Sequence, residues 1–237
     1  MRKLFFAALL PLLFEQLHAQ QNNISLTFQM SLPAGDYKNT YPKTGTGLLC
    51  GFLHSFPSQP FTVSIGVEAG LLQLNAKNEK FTGVFRNESH EYIIAASNYI
   101  FTISPKLRVD LFTVGKNGHF FIEESLGTNI FFTYAGISHD DGYDILTNST
   151  RVKYDSSAAS SYWVLRAAAG IGLEMCLGKK TKTKLLLKCS YVYGGNAKYY
   201  SHPTIDQFQI TLVPKESKTA MVLAELGFRF NLGSKKE

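Results

Sequence analysis

Beyond residue 19 the chain has no run of about 18 apolar residues, so the mature sequence holds no helix long enough to cross a bilayer. Cysteine is scarce. Cys50, Cys176 and Cys189 form an odd set without metal-like spacing, which argues against a disulfide framework or a zinc cluster and leaves them as small apolar fillers. Charged residues are only 18% of the chain, with a net charge of +6 and no clustered basic face, so no nucleic-acid partner is expected. No alternating segment sets a histidine and a serine at a spacing that demands catalysis.

What the chain does have begins with a leader. Residues 1–19 carry Arg2 and Lys3, an apolar run from Leu4 to Phe14, and Leu17-His18-Ala19 before the polar Gln20. That is the three-part layout of a secretory signal peptide, with cleavage expected after Ala19 and a single domain over 20–237.

The stretch 98–112, NYIFTISPKLRVDLF, alternates with a period of two. Tyr99, Phe101, Ile103, Pro105, Leu107, Val109 and Leu111 stand against Asn98, Thr102, Ser104, Lys106, Arg108 and Asp110. It is about twice the length of an ordinary strand of 5–6 residues. Similar alternation recurs over 24–32, 45–56, 61–74, 119–136, 162–177, 184–193 and 220–232. Leu49 and Leu53 blur the second segment, and Glu124 falls on the apolar parity of the fifth, where a bulge is expected. Long strands with apolar residues on one face and polar residues on the other suit a closed sheet in lipid, because an open sheet would leave unpaired backbone groups there. The expected fold is all-β, an eight-stranded antiparallel up-and-down transmembrane β-barrel.

The connections alternate in length. Short turns at 57–60, 113–118 and 177–183 separate long polar loops at 33–44, 75–91, 138–160 and 200–219. Bacterial barrels keep short turns on the periplasmic side, which places both termini inside. On the outward parity, Phe56, Phe61, Phe120 and Phe230 stand beside the short turns, and Tyr99, Tyr134, Trp163 and Tyr193 beside the long loops. These eight are candidate interfacial girdles.

Five stretches carry a resemblance: SLPAGDYKNT followed by TGTGLLCGF, YIFTISPKLRVDLF with its mid-strand proline, FFIEESLGTNIFF, AAAGIGLEMCLG, and the closing LAELGFRFNLG. On these the chain resembles the porin-family outer-membrane β-barrel domain common in Bacteroidetes, similar in scale to the small OmpA and OmpX barrels, over essentially the whole mature sequence. The resemblance implies a Gram-negative outer-membrane location and a fold more than an activity. Many such barrels end on an aromatic residue, whereas here NLGSKKE follows Phe230.

The inward parity carries Glu68, Lys106, Arg108, Asp110, Glu123, Arg166, Glu174, Lys188, Glu225 and Arg229, balanced in sign. An eight-stranded barrel is only wide enough for side chains to fill, so these are expected to pair with one another rather than line a pore. Inward glycines such as Gly47, Gly66, Gly127 and Gly227 make room for them. The loops offer other chemistry. His139 beside Asp140 and Asp141, with Ser138, and His90 or His202, with Ser201, are the candidates for a lipid A-modifying enzyme, and the HDDGYD run at 139–144 is a candidate cation loop without a full ligand set.

The expectation is a non-catalytic outer-membrane barrel without cofactor or metal, whose outward loops serve surface binding or envelope integrity. A small porin or transport-related channel is the alternative, and a lipid A-modifying enzyme the third. Expected partners are outer-membrane lipid, the barrel-assembly machinery during insertion and a loop ligand of unknown kind, with the chain a monomer.

Overall fold

The computed structural model describes residues 21–41, 43–57, 61–85, 88–115, 118–144, 149–178, 183–206 and 209–232. The leader at 1–19 lies outside them. So do the side chains at 75–79, 81–92, 94, 96, 137–158 and 200–212, among them His90, Ser138, His139, Asp140, Asp141, Ser201 and His202. Eight strands follow in order: β1 (Gln21–Ala34), β2 (Gly45–Pro57), β3 (Thr62–Phe85), β4 (Glu88–Val114), β5 (Gly118–Asp144), β6 (Ser149–Cys176), β7 (Thr183–Asp206) and β8 (Gln209–Asn231), with one short helix, α1 (Gly35–Thr40), between β1 and β2. Each strand pairs antiparallel with the next, and β8 closes the ring on β1 through Asn23↔Asn231 to Ala34↔Ala220. The architecture is an all-β closed barrel of eight antiparallel strands.

Alternation decides which way each side chain points. On β1 the burial pattern is strictly two-fold, with Ile24, Leu26, Phe28, Met30 and Leu32 exposed and Asn23, Ser25, Thr27, Gln29 and Ser31 buried. An inside-out distribution of this kind, apolar outside and polar inside, is the one a barrel wall in lipid requires. Cys50 and Cys189 point outward, Cys176 is half-buried, and all three thiols are free.

The ladders depart from the sequence expectation in two places. First, 75–91, 138–160 and 200–219 are largely not loops. The β3–β4 ladder runs on to Phe85↔Glu88, β5–β6 to Asp144↔Ser149 and β7–β8 to Asp206↔Gln209. An antiparallel hairpin satisfies its own backbone, so leaving lipid does not end it. Once both faces meet water the polarity alternation fades, and the strand continues without its signature.

Second, no bulge lies at Glu124. It stays in register opposite Leu107 and Ala169 and faces outward, so the apolar parity there carries a carboxylate. The bulge falls between Asp110 and Phe112 instead. It turns Phe112 to the outside, 58% exposed, where its ring stacks on Phe120 at 5.1 Å. Leu49 and Leu53, which blur the polarity of β2, are apolar residues on its inward parity, and both are buried in the lumen.

Gly127 shows how tightly the wall is built. A Cβ there would run into the Ile103 carbonyl and the Ser104 side chain. In lipid bilayers a closed, tightly packed ring of this kind resists detergent until heated, so the unboiled protein is expected to migrate faster on a gel than the boiled protein. Identical mobility of the two forms would contradict a closed ring.

Candidate functional site

The lumen is the place where the sequence puts chemistry, and it is filled in three tiers. Nearest the short turns, the fully buried Glu174 gathers the cations around it. Arg108 donates from Nη1 to Oε1 at 2.6 Å and Arg229 from Nη1 to the same oxygen at 2.7 Å, while Lys184 reaches Oε2 at 3.3 Å. Arg108 also donates from Nε to Asp110 at 2.8 Å, and its guanidinium lies 3.6 Å from the centre of the Phe121 ring. The arrangement uses the planar fork of arginine on two carboxylates at once and its flat face on an aromatic ring.

Above it sits a second cluster centred on Lys188. Its ammonium lies 2.6 Å from Glu123, 3.0 Å from Glu225 and 3.9 Å from Glu68. Lys106 bridges Glu68 at 3.5 Å and Glu123 at 3.4 Å, and Arg166 comes within 3.7 Å of Glu68. Three cations and three carboxylates balance one another, with every side chain nearly excluded from solvent. All ten inward charged residues named from the sequence thus stand in the two clusters, and Lys184 is a further member of the first.

The third tier is not legible in the sequence as a unit. Leu72, Leu74, Ile100, Phe131, Val164, Val192, Met221 and Leu223 occupy inward positions toward the long-hairpin end and form one apolar cluster with Tyr37, Tyr41, Ala197 and Tyr199. Isolated apolar residues on a polar parity look like noise in one strand at a time. They become a layer only when eight strands are placed in register.

Helix α1 caps this layer. Six residues are too few for a helix to stand alone. Gly35, at φ 55°, turns the chain in, Thr40 donates its hydroxyl to the Asp36 carbonyl, and the Tyr41 amide donates to the Tyr37 carbonyl. What holds it is burial of Tyr37, fully enclosed, whose ring lies 5.3 Å from Tyr199, 5.8 Å from Tyr41 and 6.5 Å from Phe131. Burial, with Tyr41 and then Tyr199 adding, pushes the Tyr37 phenol well above its ordinary range.

On the outside, Phe61, Phe230, Tyr134, Trp163 and Tyr193 are exposed, and Phe56, Tyr99 and Phe120 are half-buried among wall neighbours. Phe112 joins the short-turn set, visible only once the bulge is known. Among the described residues no group of three histidine, cysteine or carboxylate side chains converges as metal ligands.

Two outcomes follow for the lumen. Glu174→Leu leaves Arg229 buried without its counter-charge and Arg108 with Asp110 alone, and is expected to cost about 3–5 kcal/mol, read as a lower transition temperature for loss of the fast-migrating form. A change within about 0.5 kcal/mol, the range of surface substitutions, would contradict the pairing. Tyr37 has a buried hydroxyl without a hydrogen-bond partner. The folded phenol keeps its proton beyond the unfolded value of about 10, so its contribution is intact below that pH and is lost as pH rises above it. Tyr37→Phe is expected to be neutral or slightly stabilising near neutrality and to flatten that alkaline loss; an unchanged alkaline profile would assign the loss elsewhere.

No family model matches the chain, and no curated relative does. Among solved structures, the chain is similar to a major outer membrane protein from Thermus thermophilus at 13% identity and a TM-score of 0.46, over 91% of this chain and 100% of that one. It is similar to Neisserial surface protein A at 8% identity and a TM-score of 0.38, over 89% and 96% of the two chains. It is also similar to Ail, the attachment invasion locus protein of Yersinia pestis, at 12% identity and a TM-score of 0.36, over 90% and 97%. Likenesses of this size carry no inference about role, and the barrel assignment rests on the closed ring of strands.

Proposed function

We propose that the chain is a non-catalytic resident of the outer membrane whose lumen is closed to solutes and whose outer end, built from the extended hairpins and α1, serves surface binding or envelope integrity. The apolar wall supports membrane residence, since a belt of exposed Ile, Leu, Phe and Val around a closed ring has no soluble explanation. A cleaved leader and the barrel-assembly machinery would deliver it there. The observation that carries the closed lumen is the stack across it, two tiers of ion pairs beneath an apolar layer capped by Tyr37. A conduit needs a continuous wet path, and each tier stands across that path.

Planar-bilayer recording of the reconstituted protein tests this, with fast migration of the same unboiled sample as proof of folding. Current at baseline is expected. Stable unitary openings would overturn the closed lumen and move the reading to a small channel.

A further inference from the structure

Glu124 is the exception on the apolar wall. It faces outward from β5, four residues above Phe120 of the short-turn girdle and ten below Tyr134 of the other, so it stands inside the apolar belt. With strands tilted by about 35–45°, four residues rise about 10 Å above the girdle. Among the described residues between the girdles no other outward position carries a charge, and Glu124 has neither an ion pair nor a hydrogen bond. An ionisable side chain at that depth is costly to leave bare and marks a place where a partner is met.

The wall beside it is hollow. Phe52, Ile65, Pro105, Leu107 and Leu126 border an outward groove of about 670 Å³, to which His54 and Glu124 bring the outward polar groups. That is the size of a site for one small molecule. The register fixes where the two polar residues stand. His54 pairs with Ile65, Ile65 with Leu107 and Leu107 with Glu124, so they flank the groove on one row, three strand spacings or about 14 Å apart at the backbone. His54 belongs to the girdle, its ring 4.6 Å from that of Phe56. Its Nδ1 donates to Asn22 Oδ1 at 2.7 Å, because an amide oxygen only accepts, and Nε2 is left for another partner. A base at headgroup depth and an acid above it thus flank an apolar floor.

We propose that the groove holds one phospholipid with a primary ammonium headgroup, drawn from the leaflet on the short-turn side. The ammonium donates to the Glu124 carboxylate, the phosphate accepts from Nε2–H of the protonated His54, and an acyl chain lies along Phe52, Pro105 and Leu126. A zwitterion satisfies both ends at once. The reach of the glutamate toward the girdle and local thinning of the bilayer make up the difference in depth. An anionic lipid would set its charge beside Glu124 with no cation to neutralise it, and a second copy of this chain would bring another carboxylate and, among the described wall residues, no outward lysine or arginine.

The inference rests on membrane residence, which the gel shift tests by itself: a barrel that folds in lipid and shows no lipid preference loses the site and keeps that reading. The full barrel is reconstituted in nanodiscs of equimolar phosphatidylethanolamine, phosphatidylcholine and phosphatidylglycerol, and the lipids it retains on release are read by native mass spectrometry. Phosphatidylcholine is the informative control, since its quaternary ammonium has the charge without an N–H to donate. One retained phosphatidylethanolamine per barrel is expected, favoured about tenfold over either competitor. Glu124→Gln and Glu124→Ala, each checked for fast unboiled migration, are expected to abolish the preference, and His54→Phe to weaken retention. Equal retention of the three lipids, a preference for phosphatidylglycerol, selectivity that survives both Glu124 variants, or retention untouched by His54→Phe would overturn the proposal. So would a dimer mass that Glu124→Gln removes, which would give the groove to a second copy.

Discussion

A ring of eight strands encloses a space that holds side chains and little else, and that space dictates the rest of the molecule. Because the outside must be apolar, the polar residues of a two-fold alternation are forced inward, where an unpaired charge would cost several kcal/mol. The interior answers with mutual neutralisation. Glu174 is shared by Arg108, Arg229 and Lys184, and Lys188 is shared by Glu123, Glu225 and Glu68. Such a network is not the most stable way to fill a space, since apolar side chains of equal volume do as well or better. It is the filling compatible with strands that must read apolar on their other face.

The outer half solves a different problem. Above the ionic tiers the inward residues become apolar, and Tyr37 and Tyr41 of α1 pack on them together with Tyr199 of β7. The register of β7 against β8 shifts at Gly194-Gly195, just before Ala197 and Tyr199 enter the apolar layer.

The wall and the inward charges are legible in the sequence because alternation with a period of two is a local signal that each strand carries by itself. Residues such as Phe28, Leu107 and Leu226 can be sorted from Gln29, Arg108 and Glu225 without knowing their neighbours. The pairs among the charges are not legible, since Arg108 and Glu174 stand 66 residues apart and meet only through the register of intervening strands. Nor is the true length of the strands, because beyond the lipid the selection for alternation disappears while the backbone ladder does not. Helix α1 is too short to show periodicity, and what fixes it is the fit of Tyr37 against Phe131 and Tyr199. Phe112 falls on the inward parity when the strand is counted straight through, because the bulge before it leaves no mark in composition.

The central claim is that the ionic tiers are locked and dry. Nitrogen-detected magnetic resonance of the Arg108 and Arg229 guanidinium groups, with the barrel in lipid bilayers, tests it most directly. Held as described, both side chains give separate Nη signals without rotational averaging, with proton exchange far slower than for an exposed arginine. Averaged Nη signals with rapid exchange would mean that water and motion reach Glu174, and the filled lumen would have to be abandoned.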